Sequence, residues 1–248
     1  MNKKIYLIVG ASSEIGRAYI ESLEHKGQES MVIATYNSSR ESLDEMVKNL
    51  SKIKVDMVKC DLSKDSEVLK LINYIKEKYE SPTNILHLAA SKLEYVKFKN
   101  IHWNKVSNDL EIEVHSIVEI LKSFLPIMSR KKYGKVVFMI SSCTIGVPPK
   151  FMSGYVMAKY TLLGLMKSLA SEYAGKGICI NSVSPGAMDT RFWDNVDNRV
   201  IEIIASNSSM KRTVKKEEVT GAINFLMSKE ADYINGVNLN ISGGDEMI

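Results

Sequence analysis

The sequence predicts an α/β fold: a doubly wound, Rossmann-like parallel sheet with helices on both faces. Three observations carry this reading. Short, continuously apolar runs alternate with longer amphipathic segments along the chain. Strands buried on both faces read as unbroken apolar runs, and their alternation with helices marks βαβ crossovers. A turn of small residues with glycine at each end, Gly10-Ala11-Ser12-Ser13-Glu14-Ile15-Gly16, stands between the first apolar run and the first amphipathic segment.

The elements follow in order. Residues 5–9 read as a buried strand, and residues 15–26 as a helix with Ile15, Ala18, Tyr19 and Leu23 on one face. Residues 31–36 form a second strand and 41–50 a second helix. A third strand at 55–58 leads to a helix at 65–78, where Val68, Leu71, Ile72 and Ile75 share a side. A fourth strand covers 85–90, and a long helix covers much of 104–130. Residues 135–140 are a fifth strand, 155–173 a helix and 178–183 a sixth strand. A helix at 217–227 and a strand at 237–241 complete the pattern. Residues 190–213 break the rhythm: they are polar, carry Phe192 and Trp193, and have only a short helical patch at 200–205. An irregular excursion of that length reads as a substrate lid.

Bulk properties narrow the class. A chain of 248 residues suits one domain, taken here as 1–248, with a substantial core. The formal charge is +4, and the basic residues make only short pairs such as Lys131-Lys132 and Lys215-Lys216, so no nucleic-acid partner is expected. Cys60, Cys143 and Cys179 are far apart and form no C-x-x-C, which fits a reducing cytoplasm better than a disulfide framework. Cys143 reads as a packing residue, with no histidine partner in its local sequence. His25, His87, His102 and His115 have no ligand spacing, so no metal is expected. The basic start and the apolar run after it are too short for a signal peptide, and no stretch could span a membrane.

The chemistry concentrates in two places. The glycine turn would open the first helix, whose N-terminal N–H groups can receive a pyrophosphate. Glu14 beside such a site must point away, toward solvent or Arg17. Farther on, Ser141-Ser142 end the fifth strand, and Tyr155 and Lys159 lie one turn apart at the start of the next helix. Residues four apart share a helix face. A phenol with a pKa near ~10 is a poor acid or base at neutral pH, and a nearby cation favours its ionised form. The pair sits just past the carboxyl end of a parallel strand, where open α/β sheets bind ligands.

In these motifs the chain resembles the short-chain dehydrogenase/reductase family over nearly its whole length. The glycine turn, Tyr155-Val156-Met157-Ala158-Lys159, the serine doublet, Asn181-Ser182-Val183-Ser184-Pro185-Gly186 and the ending Ser242-Gly243-Gly244 occur in the family's order and spacing. The resemblance implies catalytic roles for Ser142, Tyr155 and Lys159. Ser142 is chosen over Ser141 because the family's serine stands thirteen residues before its tyrosine (155 − 142 = 13). Tyr155 would be general acid in reduction and base in oxidation, Lys159 would lower its pKa and bond the nicotinamide ribose, and Ser142 would orient the carbonyl. The implied cofactor residues are Gly10, Ser12, Ser13, Ile15 and Gly16 on the turn, and Tyr36, Asn37, Ser38 and Arg40 after the second strand. They continue with Asp61, Leu62, Ala89 and Ala90, then Pro185, Gly186, Met188 and Thr190, besides Tyr155 and Lys159.

Three departures stand out. Glu14 replaces the middle glycine of the family's loop. His87-Leu88-Ala89-Ala90-Ser91 replaces its Asn-Asn-Ala-Gly, removing two side-chain amides. Glu113 falls where the family has an asparagine that holds a relay water, with His115 nearby. There a glutamate could carry protons itself or simply face solvent. No carboxylate ends the second strand, in Ala34-Thr35-Tyr36-Asn37-Ser38-Ser39-Arg40, so NADP(H) is expected over NAD(H), with Arg40 and Arg17 suited to a 2′-phosphate. The apolar group Val147, Phe151, Met152, Met188, Phe192 and Trp193 reads as a substrate wall or as core and subunit contact. The expected substrate is a small-molecule or carrier-bound carbonyl. A 3-oxoacyl-type ketoreductase leads, a sugar or small-alcohol dehydrogenase is the alternative, and a low-turnover cofactor-binding protein comes last. A homo-oligomer, tetramer or dimer, is the implied assembly.

Overall fold

The structure is a computed structural model and describes residues 4–27 and 29–247. The first three residues of the basic start lie outside it. Seven strands form one sheet: β1 (Lys4–Val9), β2 (Ser30–Tyr36), β3 (Ile53–Lys59), β4 (Asn84–His87), β5 (Gly134–Met139), β6 (Ile178–Pro185) and β7 (Asn238–Ile241). Their order is β3-β2-β1-β4-β5-β6-β7, with every neighbouring pair parallel. The order reverses between β1 and β4, so a crevice opens at their carboxyl ends.

Among the described residues eight α-helices connect them: α1 (Glu14–His25), α2 (Glu41–Val47), α3 (Asp65–Tyr79), α4 (Trp103–Leu110), α5 (Ser116–Lys131), α6 (Ser153–Glu172), α7 (Asn198–Asn207) and α8 (Lys216–Leu226). The sheet separates two cores. Leu71, Ile75, Ile120, Phe124, Leu162 and Met166 bring α3, α5 and α6 onto one face. Tyr19, Ile20, Leu43, Val219 and Ile223 bring α1, α2 and α8 onto the other. Strands covered on both faces must be apolar throughout, which is why the runs in β1, β2 and β5 showed no alternation.

Three departures from the sequence reading concern the site. β4 ends at His87 instead of residue 90, because the chain leaves the sheet there to line the crevice. The excursion at 190–213 holds more structure than a short patch: α7 has ten residues and rests on a third apolar cluster of Leu93, Met152, Trp193 and Val196. The long helix is interrupted by a π turn, Glu111–His115, in which Ser116 N–H bonds Glu111 O five residues back. Such widened turns recur at functional sites, and this one carries Glu113.

Candidate active site

The glycine turn is shaped by contacts on both sides. Gly10 has φ +85°, and a Cβ there would lie 3.0 Å from Ala89 N on the neighbouring loop. Its N–H donates to Thr35 Oγ1 at 2.9 Å, tying the turn to β2. Ser13 caps α1, accepting from Gly16 N at 3.1 Å and donating to Gly10 O at 2.8 Å. At Gly16 a Cβ would fall 2.5 Å from Ala11 O, so only glycine lets the helix approach the turn this closely. Glu14, part-exposed at the cavity rim, bonds the excursion instead of Arg17: its Oε2 accepts from Arg191 N at 3.0 Å.

A cavity of about 1070 Å3 runs from this turn across the carboxyl ends of the strands. Gly10, Ser12, Ser13 and Ile15 line it, as do Tyr36, Asn37 and Ser38. Asp61, Leu62, Ala89 and Ala90 form its middle, and Pro185, Gly186, Met188 and Thr190 border its far end with Ser142, Tyr155 and Lys159. Two expected residues stand off the lining. Gly16 supports the turn from behind. Arg40 points to solvent, its Nε 3.2 Å from Asp44 Oδ2 on an exposed surface. Arg17 does line the cavity. Asp61 lies on the wall, but its Oδ1 already accepts from Ser63 N and Ser63 Oγ, and these bonds with Lys64 hold its carboxyl below the usual carboxylate range. Phe192 lies against Tyr155, ring centroids 5.3 Å apart, while Trp193 is buried beneath it in the third cluster. Both also border the cavity, so they act as wall and core together.

The proton centre lies at the end of β5. Ser141, one residue before the serine that spacing selects, is the serine whose hydroxyl favours ionisation of the Tyr155 phenol. Both serines line the cavity. Burial pushes the phenol well above its ordinary pKa, and the nearby Ser141 hydroxyl pulls the other way. Lys159 Nζ sits 5.4 Å from the Tyr155 ring centroid and 2.9 Å from Glu113 Oε2. The side chains of Lys159 and Glu113 are 3% and 2% exposed. Glu113 therefore faces the site and not solvent. The other oxygen, Oε1, accepts from Ser91 N at 3.2 Å. His87 Nε2 meets Glu113 O at 2.7 Å, and because a carbonyl only accepts, Nε2 carries the proton. Burial drops the His87 pKa to about 3, so the ring is neutral. Neither Ser141 nor the Glu113 ion pair was assigned from sequence. Cys143 is buried, with its thiol pKa raised by that burial, which fits a packing role. Among the described residues Asp65, Glu111 and His115 also meet on the surface, a grouping that histidine spacing did not foresee.

A phenol and an ammonium facing one long cleft can hold and pass a proton, and a dinucleotide bound along that cleft would supply hydride chemistry, the combination of an oxidoreductase. The family model described as enoyl-(acyl carrier protein) reductase matches residues 10–245. The 3-oxoacyl-[acyl-carrier-protein] reductase of Buchnera aphidicola subsp. Acyrthosiphon pisum (strain APS) is 30% identical over 250 residues, covering 100% of this chain and 99% of its own. The Escherichia coli (strain K12) protein of the same description is 26% identical, covering 99% and 98%. A crystal structure of NAD+-bound xylitol dehydrogenase superposes with a TM-score of 0.86 over 97% of this chain and 98% of that one, at 21% identity. The chain belongs to the short-chain dehydrogenase/reductase family of NAD(P)-dependent oxidoreductases. No helix among the described residues is long and apolar enough to cross a membrane.

Proposed function

We propose that the protein reduces a carbonyl on an apolar, acyl-type substrate with NADPH, as a 3-oxoacyl-type ketoreductase. The observation that carries this is the far end of the cavity, where Tyr155, Ser141 and Ser142 meet a wall of Met152, Phe192, Trp193 and Ile204. That wall offers a chain of methylenes more than it offers a polyol. The names of the Buchnera and Escherichia relatives point the same way, and the net charge of +4 suits an acidic carrier.

The dinucleotide fits the cradle: the turn leaves no room for a Cβ at Gly10 or Gly16, and the α1 N-terminus opens on the cleft. When bound, the nicotinamide supplies the hydride. Tyr155 donates its proton to the carbonyl oxygen, and Ser142 orients that oxygen. Ser141 holds the phenol, and Lys159 lies behind it. The end of β2 offers hydroxyls in place of a carboxylate, and Arg17 of α1 lines the same cavity, which together favour a 2′-phosphate. Arg40 is engaged with Asp44, so Arg17 is the stronger contributor.

Assayed against acyl thioesters, keto-sugars and small ketones, the protein is expected to turn over the thioesters with kcat/KM at least about tenfold higher for NADPH than for NADH, as one charge-assisted contact allows. Preference for NADH, or for keto-sugars, would overturn the corresponding half of the proposal. The serines separate by readout. Ser142→Ala is expected to lower kcat by about 100-fold, the loss of one oriented donor, at every pH. Ser141→Ala removes a hydroxyl that favours phenolate, so alcohol oxidation should then need a higher pH. Identical pH profiles for the two variants would refute this division of roles.

A further inference from the structure

Glu113 is buried on the proton centre and the reaction outlined above makes no use of it. The π turn Glu111–His115 carries it, and His87 on the end of β4 holds its backbone carbonyl at 2.7 Å. Its carboxylate is fixed at both oxygens, by Ser91 N at 3.2 Å and by Lys159 Nζ at 2.9 Å. The charged and titratable groups around it are few. Lys159 and Tyr155 face it from α6, Cys143 from the turn after β5, and neutral His87 from β4. Asp109 of α4, with Lys92 and Glu94 of the segment after β4, lines a cavity of about 20 Å3 that Glu113, Tyr155 and Ser153 also line, and Lys105 pairs with the Asp109 carboxylate.

We infer that Glu113 is a positioning residue of the proton centre: by neutralising Lys159 it keeps Tyr155 a phenol, and so raises the pH at which the site passes from donating a proton to accepting one. This rests on the proposed role of Tyr155. An ammonium alone would favour phenolate, and a carboxylate within the same dry site disfavours it. Paired at 2.9 Å, the two charges largely cancel at the phenol, which is left with the effect of its own burial. The site is thereby set for carbonyl reduction near neutral pH, with alcohol oxidation deferred to alkaline pH. Equilibrium is untouched; what moves is the pH range in which each direction is fast.

The test is Glu113→Gln, which keeps the shape and removes the charge. Lys159 then faces Tyr155 uncompensated, and the phenol should ionise about one to three pH units lower. Two readouts report this. One is the near-ultraviolet phenolate absorbance of Tyr155, taken as the difference from Tyr155→Phe in the same background, which needs no substrate. The other is the alkaline rise of kcat/KM for alcohol oxidation. Both should move to lower pH together in Glu113→Gln and stay near the parent in Glu113→Asp. A phenolate midpoint that is unchanged or higher, or a loss of activity that is uniform across pH, would overturn the inference. If Gln is not accommodated, as judged by Tm, Glu113→Asn serves the same comparison. A phenolate midpoint that shifts while neither protein oxidises any alcohol would leave the inference standing and sink the functional proposal instead.

Discussion

Tyr155→Phe is expected to lower kcat for carbonyl reduction by about 10²–10⁴-fold, the range that one positioned acid contributes, while the protein still binds the dinucleotide. The substitution removes a single oxygen. The ring keeps its place against Phe192, 5.3 Å between centroids, and the cleft wall is otherwise unchanged. What disappears is the hydroxyl beside Ser141 that, in the proposed reaction, donates to the carbonyl. KM for the cofactor should move by less than about threefold, because the turn at residues 10–16 and the α1 N-terminus lie at the other end of the cavity. Steady-state kinetics with fluorescence titration of the dinucleotide checks both parts. Retained turnover would place the proton donor elsewhere, and loss of dinucleotide binding would mean that the ring, not the hydroxyl, carries the effect.

The strands were legible because their physics is one-dimensional. A segment buried on both faces, such as β2 with Val32, Ile33 and Ala34 fully covered, has to be apolar along its length. Spacing put Tyr155 and Lys159 on one helix face, but their place at a site came from the strand end before them and the family resemblance; both line the cavity. Where the chain stops obeying a period, the sequence says less. Ser141 and Ser142 lie past the end of β5 at Met139, beyond Ile140, where strand alternation no longer says which one turns toward the phenol. Arg40 was drawn off the cleft by Asp44, an i, i+4 partner on α2 that competes with any ligand. Glu113 sits in a π turn, and a widened turn has no apolar signature to announce it. Its burial also depends on Lys159, forty-six positions later (159 − 113 = 46), and on His87. α7 was underestimated because its apolar residues pack on a local cluster apart from the main core, which no pattern within the excursion reveals.

Lys159→Met should destabilise the protein more than any surface substitution, by about 3–5 kcal/mol, because it leaves the Glu113 carboxylate buried and unpaired. Both side chains are almost wholly inaccessible. Glu113 would keep only the Ser91 N–H at 3.2 Å, one neutral donor against the desolvation of a full charge. For a domain of this length the drop in Tm is about 10 °C. Adding Glu113→Gln in the same chain should recover most of that loss, since a buried ion pair contributes little net stability over an uncharged pair of similar volume. Activity should not return with it, because Lys159 also borders the cavity beside Tyr155. The double-mutant cycle, read by Tm and by kcat/KM, therefore splits the two jobs of one ammonium. A coupling energy in Tm below about 0.5 kcal/mol would mean that the pair is not an energetic unit, while recovery of kcat/KM in the double variant would remove Lys159 from the proton chemistry.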